Sequence, residues 1–121
     1  MSGRVLLVEP YEEIADVITG VLEDLNYQID VVTSGRLTAK DLRNNGYRCV
    51  FINLDQNSSG CRNEGLRLAE IASELGVPVV LIPDHATAHA TIQKNGWLSL
   101  TKPFTVEHLE QVIAAAVKRA E

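Results

Sequence analysis

Trp97-Leu98-Ser99-Leu100-Thr101-Lys102-Pro103-Phe104 is the stretch on which the fold turns. A short apolar run, Trp97 to Leu100, ends in a lysine followed by proline, and a clean amphipathic helix comes next. A lysine at the carboxyl end of a late strand sets a positive charge over a pocket. X-Pro bonds alone have an appreciable cis population, so Lys102-Pro103 is the place to expect one.

Working outward, four earlier apolar runs join Leu98–Leu100: Val5–Val8, Ile29–Val32, Cys49–Leu54 and Val79–Ile82. The third and fourth are apolar almost throughout, as parallel strands covered on both faces should be. Helical periods separate the runs. Ile14, Val17, Ile18, Val21, Leu22 and Leu25 form a single stripe, and Leu68, Ile71, Ala72 and Leu75 form another, stopped by Gly76. The last helix groups Leu109, Val112, Ile113, Ala116 and Val117, with Thr105 as N-cap and Lys118 and Arg119 at its negative end. Two weaker helices are expected over Ser34–Asn44, ended by Asn45-Gly46, and over Asp84–Asn95, where Ile92 is the one sizeable apolar anchor. Five βα units predict a parallel sheet with helices on both faces and right-handed crossovers. No linker or repeat interrupts residues 1–121, which read as a single domain.

The 121 residues, 45% hydrophobic and 22% charged, suffice for a real core. A net charge of −5 argues against direct contact with nucleic acid or an anionic membrane. No apolar run approaches a transmembrane length, and no signal-peptide pattern precedes the first strand. Cys49 reads as core and Cys61 as part of a polar loop, not as a disulfide framework, so a cytoplasmic location is expected.

In open sheets of this kind, ligands bind beyond the carboxyl ends of the strands. That rule points to Glu9 and Pro10, to Asn53 to Asp55, to Pro83 and Asp84, and to Lys102. The βα order, the length and the Lys102-Pro103-Phe104 ending together resemble a response-regulator receiver domain. The resemblance covers essentially the whole chain. It implies a flavodoxin-like (βα)5 three-layer sandwich with strand order 2-1-3-4-5. A working receiver carries two acids after strand one, a phosphoacceptor aspartate ending strand three, a hydroxyl ending strand four, an aromatic switch residue and the lysine. Mapped onto this chain, these positions hold Glu9 and Pro10, Asn53, Pro83, Ser99 and Lys102.

Each departure has a chemical consequence. An asparagine amide is a very poor nucleophile and cannot form an acyl phosphate. With Glu9 the remaining acid of the pair, most of the charge that would hold Mg²⁺ is gone. Pro83 has neither a hydroxyl nor an N–H to donate, and Ser99 is too small for an aromatic switch. The chain therefore resembles a pseudo-receiver: not an enzyme, without a cofactor, acting by protein contact in two-component-type signalling. The alternative is a phosphorylatable receiver in which Asp55 serves as acceptor with Mg²⁺ in a phosphorelay. Whether the chain stands alone or belongs to a longer regulator or hybrid kinase is left open.

Other patterns compete for attention. Asp55-Gln56-Asn57-Ser58-Ser59-Gly60 imitates the start of a calcium loop, but the acid needed at position 12 falls on Leu66, so a long polar loop is expected. His85 and His89 stand i, i+4 beside Asp84, and a solvated helix face is the simpler account of them than a metal site. Glu9-Pro10-Tyr11-Glu12-Glu13 is acidic and free of glycine, which opposes a nucleotide phosphate loop. Trp97 reads as buried core or as an anchor for a protein partner. In receivers, the face of helix four, strand five and helix five is the usual contact surface, and Trp97 and His89 are its candidates here. A signalling partner or a second copy would dock there. Lys102, at the pocket mouth, is expected to pair with Glu9 or Asp55 or to donate to the Asn53 oxygen.

Overall fold

Apolar side chains alternate between the two faces of every inner strand, and helices cover both faces. The computed structural model of the chain describes residues 3–34, 36, 39–54, 59–83 and 89–120, and their side chains except those of 59–62, 89, 90 and 120. Among them are strands β1 (Gly3–Val8), β2 (Tyr27–Val32), β3 (Tyr47–Asn53), β4 (Val79–Ile82) and β5 (Leu98–Ser99). The helices are α1 (Glu12–Asp24), α2 (Ala39–Asn45), α3 (Ser59–Glu74), α4 (His89–Asn95) and α5 (Val106–Ala120). The strands are parallel and lie in the order β2-β1-β3-β4-β5, as expected for the flavodoxin-like sandwich.

Two cores follow from the pleat. Val5, Leu7, Cys49, Phe51, Val80 and Ile82 face α1 and α5, where Ile18, Leu22, Leu109, Ile113 and Ala116 complete the packing. Leu6, Val8, Val50, Ile52, Val79 and Leu81 face the other way, onto Leu42, Leu68, Ala69, Ala72, Ile92 and Trp97. Helix α3 approaches β3 closely at Gly65, where a Cβ would lie 2.7 Å from Leu54 Cδ2 and 3.1 Å from Ile52 Cγ2. Glycine is the residue that permits that distance.

The helix ends follow local chemistry. Gly76 has φ +77°, and the Val77 N–H donates to the Ala72 carbonyl at 2.8 Å, closing α3 as its sequence predicts. At the start of α5 the His108 N–H donates to Thr105 Oγ1 at 3.1 Å, and the Thr105 N–H donates back to His108 Nδ1 at 3.4 Å. This is a capping box with histidine in the place of the usual acid or amide.

Several expected boundaries move. Helix α2 begins at Ala39 rather than Ser34; the described residues before it include Arg36, whose Nε reaches 3.1 Å from Glu64 Oε1 on α3. That contact crosses from the segment after β2 to α3, and Leu42 is the buried residue that anchors the shortened helix. The expected polar loop stops at Ser59, so Cys61 lies within α3. The first turns of α3 are polar, and an apolar period could not mark them. Helix α4 is His89–Asn95; Asp84 and His85 lie outside the described residues. Val17, placed in the α1 stripe, is 57% exposed, because the covered arc runs through Ala15, Ile18 and Leu22 instead. Among the described residues no helix is long and apolar enough to cross a membrane.

Candidate functional site

Register places the two polar residues of the sheet core side by side. Val8 on β1 pairs with Ile52 on β3, so the next step along both strands sets Glu9 beside Asn53. The β1–β2 ladder continues past Val8 through a Glu9 N–H to Val32 carbonyl bond of 2.9 Å, which keeps Glu9 aligned with the sheet. On the other side of Asn53, the Leu54 N–H donates to the Ile82 carbonyl at 2.8 Å, one residue before Pro83.

Glu9 and Asn53 are 1% and 0% exposed, the two polar residues among the described residues that are buried outright. A carboxylate withdrawn from water to that extent requires hydrogen-bond compensation. Asn53 Nδ2 supplies it, donating to Glu9 Oε1 at 2.8 Å and to Oε2 at 2.7 Å. The Tyr11 N–H adds a 3.2 Å bond to Oε2 from the start of α1. Glu9 is thus held on one side by a neighbouring strand and on the other by its own chain.

The remaining site residues surround this pair with less chemistry. Pro10 and Pro83 are half-buried and carry no side-chain donor or ligand oxygen. Lys102 is half-buried, Pro103 is exposed, and the bond between them is cis, where the sequence leads one to expect it. Ser99 is exposed on β5. Asp55 lies outside the described residues, as does the side chain of His89, so the expected roles of both fall outside the description.

A hard divalent cation is bound by carboxylate and carbonyl oxygens. The described donor set does not fit it: both Glu9 oxygens already accept from an amide, and that amide turns its nitrogen, not its oxygen, toward them. No cluster of three or more metal-ligating side chains occurs among the described residues.

Two open grooves flank the site. One, of about 600 Å³, is lined by Ile14, Val17, Pro103 and Phe104, with Glu13 and Lys102 at its rim. The exposed Val17 therefore lines one groove with Phe104, a juxtaposition that helical periodicity alone does not signal. The other, of about 540 Å³, runs from Ser99 to Lys102 and is closed by His108, Gln111 and Val112 of α5.

Trp97 is corrected as an anchor. It is 8% exposed, packs in the core on the α3 side, and its Nε1–H donates to Ser73 Oγ at 2.6 Å. Its polar edge is satisfied inside the domain, so the aromatic face is spent on folding. Cys49 is likewise core, and burial pushes its thiol up to about 12, which leaves it inert. At the opposite end of the sheet, Tyr47 donates its hydroxyl to Asp30 Oδ2 at 2.7 Å, with Arg4 3.6 Å from the same oxygen. Burial first, then that bond, pushes the phenol up to about 12.

No protein-family model matches the chain. In sequence it is 27% identical over 123 residues to the nitrogen assimilation regulatory protein NtrX of Azorhizobium caulinodans, covering 98% of this chain and 27% of NtrX. The chain spans well under a third of that relative's length. NtrX of Brucella abortus, solved with ATP, superposes with a TM-score of 0.79 at 24% identity over 99% of this chain and 28% of that one. The receiver domain of the Francisella response regulator 1452 gives a TM-score of 0.76 at 22% identity, over 98% of each chain. This is the receiver fold. In it, Asn53 closes β3 and Lys102 follows β5.

Proposed function

We propose that this chain is a receiver-type module of two-component signalling that works by protein contact and accepts no phosphoryl group. The observation that carries the reading is the buried Glu9–Asn53 pair: the residue in the acceptor position is a neutral amide that donates both contacts to the remaining acid. An amide offers no anionic oxygen for attack on phosphorus. Pro83 adds no hydroxyl to steady the transferred group, so the chain is read as a non-enzymatic binding domain.

The contact surface that fits best is the groove of Ile14, Val17, Pro103 and Phe104. Exposed Val17 supplies apolar area, while Glu12, Glu13 and Asp16 on the same helix line or border it with negative charge. A partner helix with an apolar stripe and basic flanks complements both features. The face of α4, β5 and α5 lacks Trp97 as its centre, and the Ser99–Val112 hollow is what it still offers.

Two measurements test the reading. Incubation with acetyl phosphate and Mg²⁺, followed by intact mass, is expected to show no phosphoryl adduct; a stoichiometric, base-labile adduct refutes it, and Asp55→Ala would then be the variant to abolish it. Sedimentation with the cognate signalling partner should respond to Val17→Asp and not to Gln111→Arg. The reverse result moves the interface to the α5 side.

A further inference from the structure

We infer that the Asn53 carboxamide is a built-in substitute for a divalent cation, filling the position a metal would take against Glu9 and holding the pocket in one metal-independent arrangement. A single nitrogen lies 2.8 Å from Oε1 and 2.7 Å from Oε2 of the same carboxylate, so it stands close to the bisector of the two oxygens. That is where a cation gripped by both oxygens would sit, at a separation of about 2.3–2.6 Å for calcium. The two carboxylate oxygens lie too close together for the amide's two hydrogens to take one each, so a single N–H points between them and is shared by both, a neutral counterpart of bidentate chelation.

Amide and cation cannot share the position. A metal approaching Glu9 would have to expel a side chain that is 0% exposed and lies at the end of the central strand, flanked by β1 and β4. The Tyr11 N–H to Oε2 bond of 3.2 Å opposes a turn of the carboxylate toward another ligand set. Pro10 and Pro83, the neighbours along the chain and across the sheet, bring no side-chain oxygen to compensate.

The inference deepens the proposed function and is tested apart from it. Wild type labelled with ¹⁵N is titrated with Mn²⁺, and paramagnetic broadening is followed at Glu9, Asn53 and Leu54 and at the Asn53 side-chain NH₂. In wild type the broadening should centre on the exposed acids of α1 and weaken toward Glu9, Asn53 and Leu54. In Asn53→Ala the carboxylate, relieved of the amide, should bind Mn²⁺ at least tenfold more tightly than wild type, with broadening centred on Glu9. Asn53→Ser replaces that variant, with the same expectation, should the alanine fail to fold. Saturable broadening centred on Asn53 in wild type, or no gain of affinity in a folded variant, overturns the inference. Wild type that binds Mn²⁺ but takes no phosphoryl group overturns this inference alone and leaves the proposed function standing.

Discussion

Asn53→Asp is the substitution that would ordinarily be made to recreate an acceptor, and the geometry predicts that it destabilises the domain. The aspartate oxygen replacing Nδ2 would stand 2.7–2.8 Å from both oxygens of Glu9, with no hydrogen to place between them. A hydrogen bond shared by both oxygens of a charged group is lost, worth roughly 1.5–3 kcal/mol. A second buried carboxylate is added against the first, and breaking a buried charge's pairing costs about 3–5 kcal/mol. These terms overlap, so a loss of about 3–5 kcal/mol at pH 7 is expected, a large share of an ordinary domain's stability.

The pH dependence has a definite sign. Two carboxylates in contact titrate as a pair, and one of the two folded-state pKa values rises. A carboxyl whose folded pKa is raised binds its proton more tightly in the native state than in the unfolded chain. The penalty of Asn53→Asp is therefore small below the unfolded carboxylate pKa of about 4 and grows as pH climbs through the raised folded value. Urea unfolding of wild type and variant at pH 7 and pH 4.5, without divalent ions, measures it. A variant within about 1 kcal/mol of wild type at pH 7, or a difference that does not shrink on acidification, refutes the reasoning. Pro83 still offers no donor, so the variant should also phosphorylate far more slowly than an ordinary receiver.

Three further outcomes are expected. Gly65→Ala drives a methyl to 2.7 Å from Leu54 Cδ2 and 3.1 Å from Ile52 Cγ2; overpacking of this kind costs about 1–3 kcal/mol, readable as a lower urea midpoint with unchanged slope. Thr105→Ala removes the oxygen that accepts the His108 N–H and should cost about 1 kcal/mol in the same assay, whereas Thr105→Ser should retain most of it. Tyr47, with its phenol pushed from 10 up to about 12, stays protonated in the fold while the unfolded tyrosine ionises. Its contribution is thus present below pH 10 and lost as pH rises toward 12, and Tyr47→Phe should flatten that alkaline decline.

The sheet was readable in the amino-acid sequence for a plain reason. With helices on both faces, strands such as Val79–Ile82 have no solvent side, and their apolar runs are uninterrupted. Helical periodicity was less reliable at the margin of a stripe. Val17 has the spacing of a core residue, but periodicity reports residue type and not whether anything covers it; here it lines an open groove with Pro103 and Phe104, remote in sequence, and stays exposed. Trp97 had two readings because a lone aromatic before a strand does not tell which face it takes. The Ser73 hydroxyl, 24 residues away on α3, decides it. The site residues Glu9 and Asn53 were identifiable by position, yet their mutual bond was not. It needs the β1–β3 register, one residue beyond the Val8–Ile52 pair, and register is a property of two strands together.

On the proposed reading, that register also bears on how a receiver fold keeps its pocket in order without phosphotransfer. A ligand shifts a conformational equilibrium only through interactions that differ between the states. In an ordinary receiver the difference arises at the acceptor and is passed on by a hydroxyl and an aromatic residue. Here the acceptor position is already engaged with Glu9, and the relay positions hold Pro83 and exposed Ser99. On the proposed reading the Glu9–Asn53 bond has the role of a permanent ligand: it satisfies a buried carboxylate, ties β3 to β1, and fixes the start of α1 through Tyr11. The groove of Val17 and Phe104 begins one turn farther along that same helix. Its shape should then answer to the integrity of this bond and not to phosphodonor, so a change at Asn53 that leaves the domain folded is expected to alter partner affinity from within the core.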